Sequence, residues 1–200
     1  VSSAASDVYK RQVVHYRVKE ESNVRLEKGL YLLDSGGQYL NGTTDITRTF
    51  AVFYENKDQI PHEYVRAYTL VLKGQIAISK IKFPKGSNGA QMDGIARQFL
   101  WNELKDYPHG TGHGVGLFLN VHEGPQKISR FGDVPLMEGM IVSNEPGYYV
   151  EGEYGIRIEN LQYVKQYKDN FLSFEPLTLV PYDANLIDFE MLDSFEKEWL

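Results

Sequence analysis

The sequence predicts an α+β protein built on antiparallel strands, and three features point to it. Two strand-like runs flank Asn41-Gly42, a strong β-hairpin signal. Two amphipathic helical stretches follow, with apolar residues three and four apart. Short apolar runs bounded by Gly and Pro then return in the second half. Strands, then helices, then strands again is the order of an α+β domain rather than of alternating βαβ units.

In chain order, VSSAASDVYKRQ (1–12) is small and polar, lacks an apolar period, and reads as a non-native or unstructured extension, so the domain is expected over 13–200. GLYLLDSGGQY reads as a buried strand running into a Gly turn, and TRTFAVFY as the return strand. With Asn41-Gly42 as the two turn residues, Asp34 would face Thr49 and Asp45 would face Gln38. Both aspartates then share one face, staggered along the strands by about 13 Å. Bringing them to one site would need a bulge or a wider loop, freedom the nearby glycines supply. Residues 58–81 are helical in pattern, with Val65, Tyr68, Leu72 and Ile76 on one face, and Phe83-Pro84-Lys85-Gly86 ends the helix. A second helix is expected over 89–104, with Met92, Ile95, Phe99 and Leu104 apolar. HGTGHGVG is too Gly-rich for a helix and reads as a loop or irregular strand. Met140–Glu145 reads as a strand stopped by Pro146-Gly147, and GIRIEN and LTLVPY read as further strands.

Bulk properties narrow the function. With 200 residues, 42% of them hydrophobic and 13% aromatic, the chain can build the core of one domain, or of most of one. A net charge of −6 is unfavourable for binding nucleic acid or an anionic membrane. The absence of cysteine excludes a disulfide framework, a thiolate ligand and a thiol nucleophile. No run of 18 apolar residues could span a bilayer.

The chemistry concentrates in five residues: Asp34 in LLDSGGQY, Asp45 in GTTDITRT, His113 in HGTGHGVG, Glu145 in NEPGYY and Glu159 in GIRIEN. Each is ordinary alone. Asp beside Gly makes turns, a histidine is commonly packed or hydrogen-bonded, and Arg157 and Glu159 share one strand face and could form an ion pair. Together they suit a two-metal hydrolytic centre. Four carboxylates balance two divalent cations, and one imidazole shifts the preference from magnesium or calcium toward manganese, cobalt or zinc. A three-residue loop Glu151-Gly152-Glu153 would place Glu145 opposite Glu159, with Cβ atoms about 5 Å apart. Like charges so placed destabilise a sheet unless a cation lies between them.

The series DSGGQY, GTTDITRT eleven residues on, HGTGHGVG, NVHEGP, NEPGYY, GIRIEN and SFEPLTLVPYD closely resembles the Xaa-Pro aminopeptidases (aminopeptidase P), metallopeptidases of pita-bread fold, from about residue 13 to 200. The resemblance implies a pita-bread domain with a curved antiparallel sheet, incomplete at its N-terminal side, so that this piece alone would be poorly stable and weakly active. It further implies that Asp34 chelates one ion, Asp45 and Glu159 bridge two, and His113 and Glu145 hold the second. A metal-bridging water or hydroxide would then attack the N-terminal Xaa-Pro bond. Manganese is the implied metal, with cobalt or zinc as alternatives, and Glu145 is the acid/base. His15, His109 and His122 match the substrate-facing histidines, His15 and His122 also steadying the tetrahedral intermediate, and Arg157 joins the substrate-binding set. Peptides with proline second are the implied partners, a homodimer is the implied assembly, and the implied compartment is the cytoplasm. A prolidase acting on Xaa-Pro dipeptides shares the same ligands. A non-catalytic pita-bread binding module is the rival of another class, disfavoured because none of the five ligands is substituted.

Overall fold

A computed structural model describes residues 2–5, 25–118 and 120–200. The hairpin expected around Asn41-Gly42 is present. Strands β2 (Gly29–Tyr39) and β3 (Gly42–Val52) pair antiparallel without interruption from Gly29↔Val52 to Tyr39↔Gly42. The turn falls on Leu40 and Asn41, one residue earlier than the expected Asn41-Gly42, and β2 continues through Gly36-Gly37 where a turn was expected. This register differs from the expected one by two residues along β3. Both registers therefore put the same residues on the same faces, and hydrophobic alternation cannot choose between them. The first twelve residues were expected to lie outside the fold, yet β1 (Ser2–Ala5) pairs antiparallel with Leu33–Gly36. Ladder hydrogen bonds use backbone groups alone, so a segment without apolar periodicity can still join a sheet.

Helix α1 (His62–Lys80) buries Val65, Tyr68, Leu72 and Ile76, the stripe its period predicts. The short strand β4 (Lys82–Pro84) follows. Helix α2 (Gly89–Trp101) opens with a capping box in which Asn88 and Gln91 bond each other's backbone. It stops three residues short of the expected end. Asn102 caps it, and Leu104 turns out to solvent with φ at 56° rather than joining the apolar face. The Lys105 N–H then donates to the Leu100 carbonyl, closing the helix terminus. The two helices cross closely at Gly74, where a Cβ would run into the Ala96 carbonyl.

The second half is strand-rich. β5 (Gly112–His113) pairs with β6 (Lys127–Ile128), and β8 (Gly147–Val150) with β9 (Tyr154–Arg157). β7 (Ile141–Asn144), β10 (Asn160–Lys168) and β11 (Phe171–Pro176) join β4 in a sheet of order β4-β11-β10-β7. This sheet packs on α2 and the end of α1 through Ile78, Met92, Val142, Val164 and Leu172, while the rest of α1 packs on β9 through Tyr68, Leu72, Ile156 and Ile158. LTLVPY is not a strand: the ladder ends at Gln162↔Pro176. The carbonyls of Val180 and Pro181 are taken instead by the buried guanidinium of Arg48 at 2.6 and 3.1 Å. A final short helix, α3 (Ser194–Trp199), is tied to α1 by the Lys73–Glu196 ion pair. Among the described residues no helix is long and apolar enough to cross a membrane.

Gly74→Ala is expected to destabilise the protein by about 1–3 kcal/mol through overpacking, read as a lower urea midpoint. An unchanged midpoint would show that the two helices have room to spare at this crossing.

Candidate metal centre

The sheets meet where the acids lie. The β8–β9 and β7–β10 ladders share one register, Gly147↔Arg157 on one side and Asn144↔Asn160 on the other. Glu145 and Glu159 therefore occupy facing positions, as the three-residue loop Glu151–Glu153 predicts. Their backbones do not pair with each other. The Glu159 N–H donates to the Thr47 carbonyl of β3 at 3.0 Å, and the Glu145 N–H donates to the Thr111 carbonyl at 2.7 Å. The Ile158 N–H donates to the Pro146 carbonyl at 3.3 Å, so Glu145 and Glu159 form the neighbouring non-hydrogen-bonded pair and turn their backbone groups outward, to β3 and the 109–113 loop. In β2 and β3, Asp34 pairs with Thr47, and Asp45 with Gly36. The aspartates are offset by two positions, about 7 Å, not four, and no bulge is needed. Gly112 brings in the last element. A Cβ there would run into the Ser143 carbonyl, and its absence lets the His113 N–H donate to Ser143 Oγ at 2.9 Å.

One ligand atom from each of Asp45, His113 and Glu159 lies within 4.8 Å of the others. His113 Nε2 is 3.5 Å from Asp45 Oδ2 and 3.3 Å from Glu145 Oε1. Its Nδ1 faces the Gly114 carbonyl at 2.9 Å. A carbonyl can only accept, so Nδ1 carries a proton and Nε2 is the nitrogen that faces the acids. Asp34 stands at the other side, paired with Arg157 Nη2 at 2.7 Å. Arg157 is buried and does not pair with Glu159. Its Nε donates to Thr47 Oγ1 at 3.2 Å and its Nη1 to the Tyr149 hydroxyl at 3.0 Å.

Of the histidines read as substrate-facing, His109 and His122 border this cluster and His15 lies outside the described residues. The His122 ring meets His113 edge-on at 4.2 Å between centroids. His109 Nε2 is 2.9 Å from the Tyr149 hydroxyl and its Nδ1 2.8 Å from the Gly110 carbonyl. Tyr149 accepts from Arg157, so its own proton points to His109. This tyrosine was not singled out in NEPGYY, and a phenol two residues past a β-turn Gly offers no distinguishing spacing.

The electrostatics follow from burial. Glu159 is pushed well above the usual carboxylate range, first by desolvation and then by the charges of Glu145, Asp45 and Asp34, with Arg157 opposing. Glu145 is also raised, by burial and Asp45 against the pull of His113, Arg157 and Ser143. Burial alone would lower His113, but the bond to Asp45, the charge of Glu145 and the bond to Gly114 carry it above its ordinary value. Crowded carboxylates that resist ionisation are what divalent cations relieve, and carboxylate oxygens with one imidazole nitrogen suit such ions. The residues present therefore fit a divalent metal.

Comparison with known proteins gives a consistent picture. Residues 4–166 match the model of metallopeptidase family M24, and residues 170–200 that of the C-terminal region of peptidase_M24. A probable Xaa-Pro aminopeptidase P of Fusarium vanettenii is 50% identical over 199 residues, covering 94% of this chain and 31% of that protein. One from Tuber melanosporum is 50% identical over 200 residues, with shares of 94% and 31%. The X-prolyl aminopeptidase from Caenorhabditis elegans, described as a cytosolic enzyme with a di-nuclear active site, superposes with a TM-score of 0.90 at 38% identity, over 100% of this chain and 33% of that one. Prolidase from Pyrococcus furiosus gives 0.73 at 28% identity, over 90% and 50%. The chain spans about a third of the length of the curated relatives it matches.

A Glu raised in the folded state binds its proton more tightly there than when unfolded, so folding is penalised once pH exceeds the ordinary value of 4.5 and increasingly so up to the folded value. Glu159→Gln is therefore expected to stabilise the metal-free protein at pH 8, with the advantage shrinking as pH approaches 5. Urea titrations in chelator at both pH values measure it. A variant less stable than the parent at pH 8 would contradict the charge crowding.

Proposed function

Because the chain belongs to metallopeptidase family M24 and has its pita-bread fold, we propose that it forms the catalytic part of a dinuclear aminopeptidase hydrolysing the N-terminal Xaa-Pro bond of peptides. The observation that carries this reading is the convergence of Asp45, His113 and Glu159 within 4.8 Å, with Glu145 beside His113 and Asp34 tethered to Arg157. These five residues would hold two divalent ions, most suitably manganese. Bound there, the ions would supply Lewis-acid polarisation of the scissile carbonyl and lower the pKa of an attacking water.

The protein's own groups do the rest. Glu145, raised by burial and next to His113, is poised to take a proton and return it to the leaving imino nitrogen. His109 is oriented by Tyr149 and His122 stacks edge-on against His113, so both rings border the place where a peptide's first residues would lie. Arg157, with three nitrogens committed to Thr47, Tyr149 and Asp34, holds this frame rather than reaching out to substrate. An Xaa-Pro bond is a tertiary amide with no N–H and a fixed φ. A pocket shaped to the ring can make that bond specific. The likeness to the Fusarium Xaa-Pro aminopeptidase P and the Caenorhabditis X-prolyl aminopeptidase supports proline at the second position.

The test is release of free arginine from Arg-Pro-Pro by the intact protein, stripped of metal and then given manganese. Release is expected only with the metal, and Glu145→Gln should lower kcat by about 10²–10⁴-fold. Metal binding with no cleavage of the tripeptide but cleavage of Arg-Pro would establish a dipeptidase instead. No metal binding would leave a non-catalytic binding module.

A further inference from the structure

Two buried hydroxyls stand directly behind the glutamates. Thr47 lies on β3 and is fully enclosed. Its Oγ1 accepts from Arg157 Nε at 3.2 Å, a group that can only donate. Its single proton is therefore committed elsewhere, and Glu159 Oε2 is 2.7 Å away to receive it. The Thr47 carbonyl also receives the Glu159 N–H, so one residue holds both the main chain and the side chain of this acid. Ser143, fully enclosed on β7, repeats the device. Its Oγ accepts from the His113 backbone N–H at 2.9 Å, and its proton goes to Glu145 Oε1 at 2.9 Å.

We propose that Thr47 and Ser143 are positioning residues that fix the rotation of the Glu159 and Glu145 carboxylates and so set how their oxygens are presented to a divalent cation. The proposal rests on the metal-centre reading above. The reasoning is geometric. A carboxylate can turn about its last bond with little resistance, and a hydroxyl with a free lone pair could turn with it. Here both N–H groups that donate to the hydroxyls are held in place, one in a guanidinium also bonded to Asp34 and Tyr149, the other in the backbone. Each hydroxyl proton thus has one direction open to it, and each glutamate has one oxygen pinned. Thr47 reaches further: through Arg157 its hydroxyl is coupled to Asp34, so a single hydrogen-bonded path joins two candidate ligands on different strands.

The experiment compares manganese affinity by calorimetric titration of the intact, metal-stripped protein with Thr47→Val, Thr47→Ser and Ser143→Ala. Valine keeps the shape and branching of threonine and removes only the hydroxyl. Thr47→Val should raise the manganese Kd by about 10–100-fold. Thr47→Ser, which restores the hydroxyl, should bind close to the parent, and Ser143→Ala should weaken binding in the same direction. Melting curves of the metal-free proteins report folding separately, and a structural role alone would lower these without the serine rescue of affinity. If Thr47→Val does not melt cooperatively, Ser143→Ala decides the matter. Parent-like manganese affinity in Thr47→Val and Ser143→Ala overturns the proposal. A parent that binds no manganese overturns the metal-centre reading itself, and the proposal with it.

Discussion

Four carboxylates, Asp34, Asp45, Glu145 and Glu159, crowd one site, and their charges raise both glutamates. Arg157 neutralises Asp34 directly and reaches Glu159 only through the Thr47 hydroxyl. His113 touches Asp45 and Glu145 but can offer them a single proton. Desolvation and mutual repulsion make this crowded charge costly. This imbalance is the constraint around which the neighbouring backbone is arranged. It explains why both glutamates resist ionisation when no cation is present.

The sheet register brings the acids together. A single antiparallel register runs through β7–β10 and β8–β9, and with the Ile158 N–H bonded to the Pro146 carbonyl it makes Glu145 and Glu159 a facing, non-hydrogen-bonded pair. Their N–H groups therefore point outward, to the carbonyls of Thr47 and Thr111. Two distant segments are thereby recruited, the β2–β3 hairpin with both aspartates and the Gly-rich loop with His109 and His113. Gly112 makes the second approach possible. Behind the site, Arg97 of α2 pairs with Asp93 and binds the carbonyls of Tyr107 and His109, so the histidine loop is held from the helix side as well.

Much of this was legible in sequence, and the limits have physical causes. The facing of Glu145 and Glu159 depends only on a short loop and period-two alternation, both local, and it emerged correctly. The shared face of Asp34 and Asp45 was equally local, but their offset was not. Registers two residues apart obey the same alternation, and the turn at Leu40-Asn41 decided between them. The partnership of Arg157 with Asp34 joins residues on β9 and β2, so a same-strand ion pair with Glu159 was the nearest guess from spacing alone. LTLVPY carried strand-like residues, yet its carbonyls were claimed by Arg48 from another sheet. Thr47, Ser143 and Tyr149 escaped notice because hydroxyls acquire meaning only from the groups brought beside them.

The central claim is that these five side chains enclose two cations. Its most direct test is an anomalous difference map from crystals of the intact protein grown with manganese, collected at a wavelength where the metal scatters anomalously. The account predicts two peaks, both touched by Asp45 and Glu159, one also touched by Asp34 and the other by His113 and Glu145. A map with no peak among these residues, or with the manganese bound elsewhere, would contradict it.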